Sequence, residues 1–96
     1  MTRKGYWMAM VEVTDPDNYP RYVDANKAAF DRYGAKFLVR GGQSTTPEGP
    51  SGSRHVVIEF DSYETALACY NSPEYQAALK LRLAFSTGHF AIVEGA

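Results

Sequence analysis

A chain of 96 residues, 45% hydrophobic and 22% charged with a formal net charge of −1, has the size and composition of one globular domain, expected over residues 1–96. It has no Lys/Arg run to follow a nucleic-acid backbone and no stretch near the ~20 apolar residues of a membrane helix, so neither partner is expected. Its single cysteine, Cys69, excludes an intrachain disulfide and a cysteine-rich metal site.

The basic opening MTRK leads into an apolar run that contains Glu12 and lacks a small-residue cleavage site. It makes a poor signal peptide, and a cytoplasmic location is expected. Gly5 to Val13 alternates Trp7, Ala9, Val11 and Val13 with Tyr6, Met8, Met10 and Glu12, a strand with two largely apolar faces. TDPDNYPRY then starts a helix, with Asp17 as the expected N-cap and Pro20 in the first turn. Its stripe is Tyr19, Tyr22, Val23, Phe30 and Tyr33, and Gly34 ends it.

Lys36 to Arg40 reads as the second strand, expected to resume through Gln43–Thr46 after a bulge at Gly41-Gly42. TPEGPSG is turn chemistry, and His55 to Phe60 reads as the third strand. Ser62 caps a helix with an inner stripe of Tyr63, Ala66, Leu67 and Tyr70. Ser72-Pro73 is an N-cap followed by proline, which breaks this second helix and opens a new segment. Leu79, Leu81 and Leu83 point in several directions along it. Gly88 is expected to stop it, leaving His89 to Glu94 as the fourth strand.

The order β-α-β-β-α-β predicts an α+β, ferredoxin-like fold, an antiparallel sheet with helices on one face. The other face is also apolar, with Tyr6, Met8, Met10, Ala91 and Val93. A second copy of the chain is the simplest cover, so a homodimer through the sheet face is expected.

The blocks KGYW with VTDP and its following tyrosines, YGAKFLVRGG, EGP, VVIEFDSYE through ACYNSPEYQAA, and the terminal IVEG stand out. Together they resemble a bacterial family, the domain of unknown function 1330, of the dimeric α+β-barrel superfamily. The resemblance runs from about Lys4 to Gly95. It implies the fold and pairing just described, and it implies no reaction and no catalytic residue.

The candidate site consists of polar residues where the pattern wants apolar ones: Asn26 within the first helical stripe, Tyr70 and Arg82 on the later helices, and Arg40 and Glu59 at two strand ends. One reading has all five lining a pocket between sheet and helices for a small anionic or carbonyl-bearing molecule, since a guanidinium fork suits a carboxylate. Superfamily relatives hold ligands in that space, which is fold-level analogy. The other reading pairs Arg40 with Glu59 and leaves Arg82 to helix carbonyls or to a carboxylate of a partner subunit. The expectation is that Glu59 engages Arg40. His55 and His89 are expected to be ordinary strand-end residues, Cys69 an inert thiol, and Trp7 and the tyrosines core. No catalytic-triad order, phosphate loop or metal motif occurs, so no metal or cofactor is expected. Three functions remain open: a homodimeric binding protein; a cofactor-independent monooxygenase, isomerase or decarboxylase-like enzyme acting on a small aromatic or enolisable acid; and a structural or regulatory dimer without ligand.

Overall fold

The two-sided alternation of the first segment forms β1, Gly5–Val13, in the computed structural model, which describes residues 3–50 and 52–96. Met1 and Thr2 of the basic opening and Ser51 of the TPEGPSG turn lie outside the described residues. The other elements are α1 (Tyr19–Ala25), α2 (Lys27–Tyr33), β2 (Lys36–Arg40), β3 (Arg54–Phe60), α3 (Tyr63–Asn71), α4 (Pro73–Phe85) and β4 (Ser86–Glu94). The sheet order is β2-β3-β1-β4 with every neighbour antiparallel, the expected ferredoxin-like α+β fold. No helix among the described residues is long and apolar enough to cross a membrane.

The helices cover the face that carries Trp7 and Val11, which are 1% and 2% exposed. On the opposite face Met8 and Met10 are 48% and 38% exposed. Trp7 is the centre of the core. Its indole N–H donates to the Ala66 carbonyl at 2.9 Å, which ties α3 to the sheet, and the rings of Phe60, Tyr75 and Phe90 pack around it. Gly5 is required under α3, because a Cβ there would meet the backbone of Ser62 and Tyr63.

Local signals explain most boundaries. Ser62 accepts from the Thr65 amide and Ser72 from the Tyr75 amide, so both expected caps form and the second helix breaks at Ser72. Gly34 closes α2 in the left-handed conformation (φ 67°). Other boundaries differ from expectation. Asp17 is not the N-cap: Asn18 is, without a side-chain bond to the helix, while Asp15 accepts from the Asn18 amide and side chain and organises the preceding turn; Pro20 lies in the first turn as expected. The first helix divides at Asn26, a poor helix former whose side chain competes with the backbone. The third strand begins at Arg54 rather than His55. Gln43–Thr46 form no strand. On α3 the buried positions are Ala66 and Cys69 rather than Leu67.

Gly88 does not stop the last helix. Ser86, already extended, ends it, and the amides of Thr14 and Asp15 donate to the Phe85 carbonyl at 2.9 and 3.1 Å. Gly88 instead lies inside β4 with φ 154°, where a Cβ would overlap the Met10 carbonyl of β1. The bulge also sits elsewhere: the β2–β3 register shifts between Phe37 and Val39, two residues before Arg40 becomes paired, not at Gly41-Gly42.

Candidate functional site

The position of that bulge decides the site. Lys36 faces Glu59 and Phe37 faces Ile58. A regular ladder would then carry Arg40 opposite His55, on the open face that also bears Glu59. The extra residue at Leu38 sets Val39 opposite Val57 and Arg40 opposite Val56, which turns Arg40 to the helix side. There its guanidinium lies 4.2 Å from the centre of the Phe37 ring. Glu59 stays on the open face and accepts from the Tyr6 hydroxyl at 2.9 Å, a bond that raises the Tyr6 pKa. The expected Arg40–Glu59 ion pair does not form: Glu59 lies opposite Lys36, at the other end of β2 from Arg40, and the bulge puts the two side chains on opposite faces.

On the helix side, Phe90, Ala9, Val56 and Arg40 make one cross-strand row spanning all four strands. The small side chain of Ala9 leaves a hollow beneath α1 and α4. It is narrow: the space open to the centre of a water-sized sphere is about 30 Å³. Asn26, Arg40 and Arg82 line it. Tyr70 does not: its ring packs at 5.2 and 5.4 Å from Phe90 and Tyr75 within the aromatic core. Glu59 is absent because it belongs to the other face.

Two lining residues were outside the sequence reading of the site. Arg54 shares the face of Val56 and Ile58 by simple alternation, and extending the third strand by one residue would have revealed it. Tyr22 appeared only as part of an apolar stripe, yet its hydroxyl reaches the buried Tyr75 hydroxyl at 2.9 Å. Arg82 Nε donates to that same Tyr75 oxygen at 3.2 Å, so Arg82, Tyr75 and Tyr22 form a buried polar chain. Burial and then the neighbouring Tyr75 push Tyr22 well above the ordinary phenol value, with Asn26 and the Arg82 charge opposing. Burial also raises Tyr75, against the pull of Arg82.

The lining is strongly unbalanced in charge. It holds Arg40, Arg54 and Arg82 and no carboxylate or histidine. None of the three makes an ion pair among the described residues. Arg82 is 8% exposed, and its guanidinium lies 5.1 Å from the Phe90 ring centre. The Arg54 Nε is buried without a hydrogen-bond partner among the described residues, and its guanidinium lies 5.7 Å from the centre of the Tyr19 ring. A buried cation without a counter-charge is costly, and of the three arginines Arg82 is the buried one.

The remaining reactive side chains lie elsewhere. His55 and His89 flank Met10 on the open face. Cys69 is fully buried, and burial pushes its thiol up to about 12, which keeps it protonated and inert. No group of three or more metal-ligating side chains occurs among the described residues.

The family described as "Domain of unknown function (DUF1330)" matches the chain over residues 4–96. The chain belongs to that family. No curated protein sequence matches it. Among solved structures, this DUF1330 chain is similar to a protein of unknown function from Rhodopseudomonas palustris, with 18% identity, TM-score 0.77 and coverage of 100% of this chain and 85% of the other. It is also similar to SnoaB, a cofactor-independent oxygenase from Streptomyces nogalater, at 13% identity and TM-score 0.67 over 99% and 95% of the two chains. A dimeric ferredoxin-like protein of unknown function from Thermobifida fusca shows 15% identity and TM-score 0.54 over 100% and 92%. At these identities the likeness is one of fold.

Proposed function

We propose that the protein is a cytoplasmic homodimer that binds a small anionic or carbonyl-bearing molecule in the cavity between sheet and helices of each protomer. The observation that carries this reading is the convergence of Arg40, Arg54 and Arg82 on one hollow with no carboxylate in its lining. Pairing through the open sheet face is supported by the exposed Met8, Met10, Val39 and Val93 and by the dimeric protein of the same fold from Thermobifida fusca. Thermal-shift measurement with small carboxylic acids tests the pocket. Carboxylates raise the melting temperature of the native chain and leave that of Arg82→Ala unmoved. A chain that no carboxylate stabilises would be a structural or regulatory dimer.

The second reading is cofactor-independent oxidation of such a ligand, favoured by the fold shared with the oxygenase from Streptomyces nogalater. The lining offers no carboxylate or histidine as a general base, and its Tyr22 holds its proton tightly. An oxidised substrate would therefore enter already ionised, as an enolate or phenolate, with the arginines holding its charge. Oxygen consumption with an acidic enol or phenol, absent in Arg82→Ala, distinguishes this from binding alone.

A further inference from the structure

The arginines of the cavity are not gathered at one point. The row Phe90, Ala9, Val56, Arg40 crosses four strands, so its ends lie about 14 Å apart at about 4.8 Å per strand. Arg82 stands over the Phe90 end, buried and held by Tyr75. Arg40 occupies the opposite end on the edge strand, exposed and stacked on Phe37. Arg54 belongs with Arg40: it precedes Val56 on β3, and its guanidinium abuts Gly41, the residue after Arg40. One cationic centre is therefore deep and the other is at the mouth. The floor between them is Ala9 and Val56, which offer no donor or acceptor side chain.

A ligand with a single acidic group can satisfy only one of these centres. If it sits on Arg82, the buried Arg54 Nε keeps no partner; if it sits at the mouth, Arg82 keeps no counter-charge. Resting on the anion-binding reading above, we infer that the ligand class is a small linear dianion, a dicarboxylate or its chemical equivalent. Its inner acid group meets Arg82 and its outer acid group lies between Arg40 and Arg54. The short apolar chain between the acids lies on Ala9 and Val56. The narrow inner space suits such a ligand, because only the inner acid group and part of the chain enter it. The outer group stays at the open mouth. The bulge at Leu38 is then a specificity device, since it brings the mouth cation to this face.

Calorimetric titration of the full chain with succinate, glutarate and adipate, each against butyrate, valerate or hexanoate of matching length, tests this. At least one dicarboxylate should bind about 10-fold or more tightly than its monocarboxylate, the worth of one added charge-assisted contact. Arg40→Gln and Arg54→Gln should each weaken dicarboxylate binding more than monocarboxylate binding and so reduce that preference. Equal affinity for both series overturns the dianion inference and leaves the anion pocket standing. So does an Arg40→Gln variant that weakens both series alike. Absence of binding by every member removes the pocket reading together with the inference.

Discussion

Arg82→Met keeps most of the length of the side chain and removes its charge from the interior. The magnitude follows from what Arg82 touches. Taking a guanidinium out of water costs several kcal/mol even after relaxation. Against that stand one hydrogen bond to Tyr75, about 1.5–3 kcal/mol for a bond to a charged group, and a cation–π contact with Phe90, about 1–2 kcal/mol when desolvated. These terms nearly cancel or fall short. Methionine retains the apolar stem and adds part of the ~1.5–3 kcal/mol of a buried side chain, while the Tyr75 hydroxyl keeps Tyr22 as partner. The ligand-free variant is therefore expected to be more stable by about 1–3 kcal/mol. Each kcal/mol moves the Tm of a domain this size by about 4–8 °C.

The assay is thermal denaturation followed by circular dichroism at one fixed protomer concentration, because a dimer's Tm depends on concentration. Native chain, Arg82→Met and Arg82→Lys are compared without ligand. Arg82→Met melting above the native chain and failing to respond to carboxylates supports a side chain retained for binding at the expense of stability. Arg82→Met melting below the native chain refutes the reasoning. In that case Arg82 has a counter-charge in the assembled protein, such as a carboxylate of a partner subunit, and is not available to a ligand.

Deleting Leu38 removes the extra residue and leaves Val39 opposite Val57 and Arg40 opposite Val56 in a regular β2–β3 ladder; dicarboxylate affinity is then retained, and its fall to the level of Arg40→Gln would show that the bulge geometry itself, beyond the register, aims the guanidinium. Gly88→Ala forces a Cβ against the Met10 carbonyl and lowers unfolding stability in urea by about 2–4 kcal/mol; an unchanged midpoint would show that β1 and β4 separate there without cost. Glu74 is held below the ordinary carboxylate value by hydrogen bonds from Arg32 at 2.6 and 3.0 Å. Its contribution is present above the unfolded value of about 4.3 and is lost as pH falls through the lower folded value, so Glu74→Gln reduces Tm at pH 7 and not in strong acid. Met10→Glu on the open face converts the dimer to a monomer by light scattering, and a dimer that persists at micromolar concentration places the contact elsewhere.

The parts of the fold legible in the sequence were those set by contiguous residues. Ser62 and Ser72-Pro73 mark helix starts through bonds to amides three residues on, and Gly34 supplies a left-handed cap. Once strands and helices are placed in order, few topologies remain, and ferredoxin-like pairing follows. The errors at Asp17 and Gly88 came from choosing among adjacent candidates with the same chemistry. Asn18, the N-cap, is as good a capping residue type as its neighbour Asp17, and a glycine after a helix reads alike whether it stops the helix or passes close to another strand.

The site was less legible because it depends on register. Asn26 and Arg82 were found since a polar residue within an apolar helical stripe is visible in the sequence, and helical periodicity tolerates small errors in the boundaries. Arg40 and Glu59 were placed together because each ends one of two adjacent strands. In an antiparallel hairpin the end of β2 meets the start of β3, so Glu59 lies opposite Lys36, and the shift at Leu38 also puts Arg40 on the other face. Nothing in FLVRGG marks Leu38 as the bulged residue, while the glycines that do resemble a bulge signal follow Arg40 and leave its facing unchanged. In a sheet of period two, a shift of one residue exchanges the partners on both faces. Glu59 keeps Tyr6 through the separate β1–β3 ladder, while the shift at Leu38 lets Arg40 join two further arginines over a floor without acids. The antiparallel order that sets Glu59 opposite Lys36 is what breaks the expected ion pair, and the bulge is what adds a third arginine to a lining that holds no carboxylate.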